Sequence, residues 1–347
     1  MSYPIDQNGA YPVGSVYTRF ANPDIQWEVS TQSNIGVDFG FFDGKLSGTI
    51  DYFHKVSDNI LLEVVPVDPI SPAPTFWTNV PDMKIVNKGI EIALDYSKRN
   101  TEGLSYGFGV NATFINNVVK DSPFTIVTTG SASGQGLTDA TINGFVSDQA
   151  IGAFFMKTFV GIDENGFSEF VDQDGDGFST EGDRTVVGSA LPDMTYNFYA
   201  NLSYKGFDLN ANFNGVSGNE IYDHTAMGSF YKTLLSKSNN TTPIASEFEN
   251  ESIINAAAVS TRYLKDGSFL RLNNLTLGYS FDTSSIDWLQ ELRLSFTGQN
   301  LFVITDYDGY DPEVNTDSST GGIQSFGIDK FAYPKAKTFV VGLNLTF

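Results

Sequence analysis

An acidic stretch of the chain, residues 172–183, has the spacing of a calcium-binding loop. Carboxylates stand at alternate positions up to a glycine, Gly177, where such a loop turns sharply. This arrangement suits Ca²⁺, because the ion is bound by hard oxygen ligands spaced along a tight loop. The predicted ligands are the carboxylates of Asp172, Asp174 and Asp176, the carbonyl of Phe178 and the carboxylate of Asp183.

The stretch departs from the common calcium loop at its last position and in its surroundings. Asp183 stands where such loops usually have Glu, and its shorter side chain weakens bidentate coordination. No recognisable helix pattern flanks the loop. An acidic, solvated turn without an ion is therefore the alternative interpretation. In either case we expect a structural role; the spacing favours Ca²⁺ but does not identify the ion, and no organic cofactor is predicted.

The sequence contains few residues of two types that often perform catalysis, cysteine and histidine. Cysteine is absent, so no thiol nucleophile, thiolate metal site or disulfide can form. The only histidines are His54, in a predicted strand, and His224, in a long loop where we expect it to be solvated. Neither is grouped with a serine and a carboxylate. We predict no catalytic residues and expect that the protein is not an enzyme.

The composition argues for a surface that meets lipid and against a nucleic-acid partner. With 41 acidic and 20 basic residues, the chain lacks the basic surface that would replace phosphate counterions. Only 18% of residues are charged, whereas 14% are aromatic. Many rings and few charges are typical of membrane proteins with aromatic girdles at both interfaces. A secreted, tyrosine-rich β-sandwich would have a similar composition.

The elements that position these residues are predicted to be strands, because apolar and polar residues alternate along much of the chain. One face of residues 207–214 carries Phe207, Leu209, Ala211 and Phe213. The other face carries only Asp and Asn. Such small, neutral polar residues suit the hydrated interior of a barrel, with the apolar face toward lipid. A sandwich with the apolar face in its core remains the alternative.

We predict an all-β fold, an antiparallel transmembrane β-barrel with long extracellular loops. The predicted strands are 33–42, 45–57, 88–98, 104–117, 194–205, 207–217, 268–281, 291–302 and 337–347. Short periplasmic turns alternate with long extracellular connections, as in bacterial barrels. Residues 120–192 are then one extracellular excursion that carries the acidic loop, and the apolar residues 151–162 within it form loop structure or a hairpin.

The strand count predicts that the chain is part of a longer barrel. Nine strands are an odd number, whereas bacterial single-chain barrels have an even number. An open edge in lipid would leave backbone groups unpaired at a cost of roughly several kcal/mol each. Residues 1–7 also lack the basic and apolar regions of a signal peptide. We therefore expect residues 1–347 to be the C-terminal part of a single barrel domain whose export signal is absent from this sequence.

Several blocks, in order along nearly the whole chain, resemble the SusC/RagA family of TonB-dependent transporters. Residues 22–28 read NPDIQWE, residues 32–40 read QSNIGVDFG and residues 87–91 read NKGIE. The acidic loop through Pro192 is similar to another block of the family. Further similar blocks are YKGFDL at 204–209, GNEIY at 218–222, DGSFLRL at 266–272, GQNLF at 298–302, GYDPE at 309–313 and GLNLTF at 342–347.

The resemblance implies a barrel of roughly 22 strands, of which this chain would supply the last nine. It implies an N-terminal plug, absent here, on which TonB–ExbB–ExbD would act. It further implies a Gram-negative outer membrane of the Bacteroidetes type, its lipid, a SusD-like surface lipoprotein and import of an oligosaccharide or peptide. The substrate itself is not predicted. The alternative function is a secreted, calcium-stabilised β-sandwich that binds carbohydrate.

Overall fold

A computed structural model describes residues 19–64, 75–101, 103–134, 137–229, 232, 247–314, 319 and 323–347. The residues on which the signal-peptide prediction rests, 1–7, lie outside this part. Among the residues described, helices are short, and none has the length and hydropathy required to span a bilayer. The helices used below are α1 (His224–Ser229) and two 3₁₀ helices, Glu181–Asp183 and Thr261–Tyr263.

Strands dominate the described residues. Before the acidic loop they are, in chain order, β1 (Arg19–Phe20), β2 (Val29–Phe41), β3 (Leu46–Asp58), β4 (Leu61–Val64), β5 (Thr75–Asn79), β6 (Lys84–Lys98), β7 (Ser105–Lys120), β8 (Val127–Gly134), β9 (Leu137–Phe145), β10 (Ala153–Met156), β11 (Phe159–Ile162) and β12 (Ser168–Phe170). After it they are β13 (Thr185–Ser189), β14 (Met194–Tyr204), β15 (Phe207–Ser217), β16 (Glu220–Asp223), β17 (Leu264–Asp266), β18 (Phe269–Phe281), β19 (Glu291–Thr305), β20 (Ile328–Asp329) and β21 (Thr338–Thr346).

Nine of the described strands form one antiparallel sheet in the order β2-β3-β6-β7-β14-β15-β18-β19-β21. These are the nine predicted strands, and the antiparallel barrel-wall prediction is confirmed. Across the described residues the sheet remains open, with β2 and β21 as its edges. The observed strands extend three or four residues beyond the prediction at Val29, Lys84, Lys120 and Thr305. The extensions at Lys84, Lys120 and Thr305 lie next to long connections, where cross-strand pairing continues after the apolar alternation has ended.

The pairing register separates an apolar face from a polar face across the sheet. Opposite one another on successive strands lie Leu202, Leu209, Leu277, Phe296 and Val341. Leu277, Phe296 and Val341 are 51%, 49% and 72% exposed. One position further along, the register aligns Asn201, Asn210, Thr276 and Thr297. The apolar row therefore faces outward, unlike the buried core that the sandwich alternative requires.

The buried apolar core lies in the long connections and at the strand ends. β8, β9, β10 and β13 form one small sheet, β11 and β12 a hairpin, and β16, β17 and β20 another sheet. Residues 151–162 thus belong to loop structure, as predicted, and lie outside the nine-stranded sheet. The larger of two core clusters buries Ala132, Ile142, Phe154, Met156, Ala190, Tyr222, Ala226, Met227, Val259, Tyr263 and Ile328. We call the loop segments packed around these residues the loop body.

Candidate functional site

The predicted calcium ligands begin where β12 ends, and three of them converge. Asp172, Asp174 and Asp176 each offer a carboxylate oxygen, and these oxygens lie within 4.8 Å of one another. Asp172 accepts hydrogen bonds from the backbone N–H groups of Gly175 and Gly177, at 2.7 and 3.0 Å. Both glycines have positive φ, 75° and 80°, which a tight loop requires. The exposed carboxylates form an oxygen-rich surface suited to a hard cation.

Of the two remaining predicted ligands, the Asp183 carboxylate lies outside this cluster. The Asp183 carboxylate is buried and accepts hydrogen bonds from the backbone N–H groups of Gln173 and Thr180, at 2.8 and 2.7 Å. These bonds to the charged form hold the pKa of Asp183 below its ordinary value. The backbone N–H of Phe178 donates to Asp176, and the Phe178 ring is exposed. Coordination by Asp183 and by the Phe178 carbonyl stays a prediction.

Polar contacts fasten the acidic loop to the loop body. Thr180 and Asp183 form a capping box around the 3₁₀ helix Glu181–Asp183, each side chain accepting from the other's backbone N–H. Lys157, just after β10, donates to Ser179 at 3.2 Å. Arg184 forms a 2.9 Å ion pair with Glu181. The loop is therefore anchored at its C-terminal end, while its three clustered carboxylates face solvent.

The polar face of the nine-stranded sheet carries charged side chains in paired arrangements. Arg293 on β19 donates to both carboxylate oxygens of Asp208 on β15, at 3.0 and 2.7 Å. The Tyr199 hydroxyl on β14 donates to the Asp95 carboxylate on β6. Sequence reasoning did not identify these contacts, although all four residues stand at polar positions of alternating strands. Arg293 neutralises Asp208, whereas Asp95 keeps its charge beside a neutral hydroxyl donor.

The two histidines lie on different elements, one in the nine-stranded sheet and one in the loop body. His54 lies on β3 directly opposite Ser33 and Lys88, on the face that carries the apolar rows. His224 begins α1 and is 2% exposed, so the expectation that it is solvated was wrong. It is buried because α1 packs into the loop body, an arrangement that no local sequence pattern reveals. Asp223 precedes it and accepts from the backbone N–H of Ala226 at 2.7 Å.

Comparisons with known proteins agree with this architecture. The family model described as TonB dependent receptor-like, beta-barrel matches residues 3–301. TonB-dependent receptor P3 of Formosa agariphila is 30% identical over 96% of this chain and 36% of its own length. TonB-dependent receptor SusC of Bacteroides thetaiotaomicron is 28% identical over 97% of this chain and 34% of its own length. The chain thus spans about a third of these relatives.

The fold is also similar to a solved transporter structure. The structure of the RagAB peptide transporter matches all of this chain with a TM-score of 0.77 and 23% sequence identity, over 38% of that chain. The resemblance to the SusC/RagA family and the prediction of an outer-membrane location are both confirmed. The chain belongs to the TonB-dependent receptor-like β-barrel family.

Proposed function

We propose that the full-length protein imports oligosaccharides or peptides through a TonB-dependent outer-membrane barrel and is not an enzyme. The observation that carries this proposal is the sheet with opposite faces, one row exposing Leu277, Phe296 and Val341 and the next presenting Asn and Thr. Such a wall suits lipid on one side and a hydrated passage on the other. On this proposal residues 1–347 are the C-terminal part of a single barrel domain.

The proposed mechanism assigns passage and scaffolding to this chain, without bond chemistry. Extracellular loops, with residues 120–192 as one excursion, capture the substrate together with a SusD-like surface lipoprotein. TonB–ExbB–ExbD acts on the plug region of the full-length protein and opens the lumen. The loop body supports this role, because its apolar core gives the connections a fixed shape. A rigid scaffold carrying loops is a common basis for binding.

Import is tested with the full-length protein in its native membrane. We expect the protein in the outer-membrane fraction with a co-purifying surface lipoprotein. Cells should accumulate labelled oligosaccharides or peptides, and a protonophore should abolish that accumulation. A protein recovered in soluble form from the periplasm or medium would refute the proposal.

We also propose that the acidic loop binds Ca²⁺ in a structural role. Support comes from the convergence of the Asp172, Asp174 and Asp176 oxygens within 4.8 Å and from the glycine turns that bring them together. A cation there would offset the mutual repulsion of three exposed carboxylates. The ion would fix the exposed half of the loop, since contacts of Asp183 and Lys157 already hold the other half.

Calcium binding is tested by titrating Ca²⁺ into chelator-treated full-length protein and measuring heat of binding. We expect saturable binding, which Asp172→Asn or Asp174→Asn reduces at least about tenfold because each removes a charged oxygen ligand. Asp148→Asn is the matched control, since Asp148 is an exposed carboxylate paired with Lys120 outside the loop. Equal binding by all variants would contradict the proposed site.

A further inference from the structure

An aromatic cleft lies in the connection between β19 and β21. Its cavity of about 500 Å³ is lined mainly by residues from 310 and 331–334, with the end of α1 at its side. The rings of Tyr310, Phe331 and Tyr333 are 59%, 62% and 92% exposed. Three exposed rings around one cavity are unusual for a loop surface, because burial of such rings is strongly favourable.

The cleft rests on a buried polar scaffold. Asp329 is fully buried and accepts hydrogen bonds from Thr225 at 3.2 Å, Tyr307 at 2.7 Å and the backbone N–H of Ala332 at 3.2 Å. Thr225 in turn accepts from the backbone N–H of Phe331 at 2.7 Å. Phe331 has φ +57°, a conformation that is strained for a bulky residue. The fold thus holds an exposed ring in place at an energetic cost, as functional sites do.

The cleft lies at the loop end of the polar face. Arg271 on β18 is 3% exposed and pairs with Asp311, which also accepts from the backbone N–H of Lys335 at 3.2 Å. Arg271 stands opposite Asn214, which is opposite Asn197, on the polar face of the sheet. These contacts clamp the segments on both sides of the cleft to the polar face. A ligand held by the rings would therefore stand at the entrance of the proposed passage.

The chemistry of the lining selects a class of ligand. The residues lining the cleft in the described part of the chain carry no charge, so they offer no partner for a charged group. Their ring faces suit the C–H surface of a sugar, and the hydroxyls of Tyr310 and Tyr333 suit its hydroxyl groups.

We propose that this aromatic cleft binds one or two units of a neutral oligosaccharide during capture. The proposal rests on the importer function and specifies its substrate class and one subsite. A peptide fits the lining less well, because its charged ends or side chains would meet no opposite charge there. The described lining likewise offers no cation to an anionic oligosaccharide.

The test uses full-length protein with its co-purified partner, titrated with neutral hexose oligosaccharides and with peptides of similar size. Phe331→Ala and Tyr333→Ala should each weaken oligosaccharide binding roughly three- to tenfold, the effect of losing one aromatic stacking contact. Tyr333→Phe, which keeps the ring and loses only the hydroxyl, should retain more binding than Tyr333→Ala. Phe124→Ala, which removes an exposed ring in the turn between β7 and β8, should leave binding unchanged.

A second measurement reports whether the cleft is open in the full-length protein. Cysteine introduced by Tyr333→Cys should react with a membrane-impermeant maleimide on intact cells, and the oligosaccharide should slow that reaction. A cysteine that does not react shows that another segment or partner covers the rings, which overturns the proposal. Binding and uptake of peptides alone, or oligosaccharide binding insensitive to the ring variants, overturns the cleft while leaving the importer function intact. Absence of any TonB-dependent uptake overturns the importer function itself.

Discussion

At the scale of single residues, the spacing of the acidic loop predicts which carboxylates converge but does not predict the role of each one. The alternating carboxylates of Asp172, Asp174 and Asp176 predicted convergence, and their oxygens do converge within 4.8 Å. Spacing alone could not predict the role of Asp183. A carboxylate at that position can coordinate an ion or accept from backbone N–H groups, and both uses require the same spacing. In the structure it accepts from the N–H groups of Gln173 and Thr180, and its coordination of an ion stays a prediction.

Removal of the Asp183 carboxylate should loosen the acidic loop with or without an ion. Asp183→Ala leaves the N–H groups of Gln173 and Thr180 without their acceptor, at a cost on the order of 1.5–3 kcal/mol for each bond to a charged group. Hydrogen exchange at these two amides in the full-length protein should accelerate by at least about tenfold. The change should persist after chelation of divalent ions.

The control for this substitution is Asp148→Asn, because Asp148 has φ +63°, a conformation that asparagine adopts more readily than alanine. Asp148 is exposed and pairs with Lys120 at the surface, an interaction worth about 0–1 kcal/mol. Exchange at Gln173 and Thr180 should be unchanged in this variant. Unaltered exchange in Asp183→Ala would show that the backbone contacts of Asp183 do not hold the loop.

At the scale of elements, the wall strands were predictable and the loop body was not. Strand positions follow from alternation because one face meets an apolar environment and the other does not. The loop body buries Phe154, Met156, Tyr222 and Met227 through contacts between segments distant in sequence. Short strands in irregular connections carry no long periodic pattern, so their apolar residues were assigned only to loop structure. The ion pair between Arg293 and Asp208 could not be predicted from the sequence either, since it depends on the register of separate strands.

Glycines on the wall strands should be essential where an aromatic ring of the next strand covers them. A Cβ at Gly89 on β6 would lie 2.1 Å from the Phe114 carbonyl oxygen and 2.7 Å from the Phe53 ring. Gly89→Ala should therefore force the strands apart, at about 1–3 kcal/mol. Folded barrel in the full-length protein, measured by heat-modifiable electrophoretic mobility, should decrease or melt at lower temperature.

Gly107→Ala is the matched control on the neighbouring strand β7, which is paired on both sides within the sheet. The nearest atoms to a Cβ at Gly107 are 3.8 Å away, an ordinary van der Waals contact, so the added methyl group meets no obstacle. This variant should fold and melt like the wild-type protein. A Gly89→Ala barrel as stable as the Gly107→Ala barrel would contradict the packing described for β3, β6 and β7.

The loop body should be more stable in mild acid than at neutral pH. Asp223 and Asp329 lie directly opposite each other on the parallel strands β16 and β20, and both are buried. Burial, with added repulsion from Asp329 and Asp308 and partial relief from Lys265, raises the pKa of Asp223 to about 6. Its stabilising contribution is fully present below the ordinary value of 3.8 and is lost as pH rises through about 6.

Asp223→Asn should weaken this pH dependence. The amide keeps an oxygen for the Ala226 N–H and carries no charge, so the loop body should gain on the order of 1–3 kcal/mol at neutral pH. Hydrogen exchange of the loop body between pH 4 and pH 7 measures the effect, after correction for intrinsic exchange. Glu220, whose pKa burial also raises, accounts for a smaller residual dependence. A profile identical to that of the wild-type protein would contradict the assignment to Asp223.

At the scale of the whole molecule, the proposed membrane environment follows from the two different faces of the sheet. The sheet keeps apolar rows in register across strands and leaves them exposed, while the buried core lies in the loop body and at the strand ends. A soluble protein of this kind would bury those rows instead. Membership of the TonB-dependent receptor family supplies the environment in which exposed rows are stable, the hydrocarbon of an outer membrane.

The most direct test measures which solvent each face meets in the full-length protein, reconstituted in lipid. Single spin labels can be placed through cysteine at Leu209, Asn210, Thr276 and Leu277, after any cysteine that the rest of the full-length protein contains is replaced, since this chain itself has none. We predict that labels at Leu209 and Leu277 collide with oxygen dissolved in lipid, and that labels at Asn210 and Thr276 collide with a water-soluble nickel complex. Labels at Leu209 and Leu277 shielded from both reagents, as in a packed interior, would contradict the account.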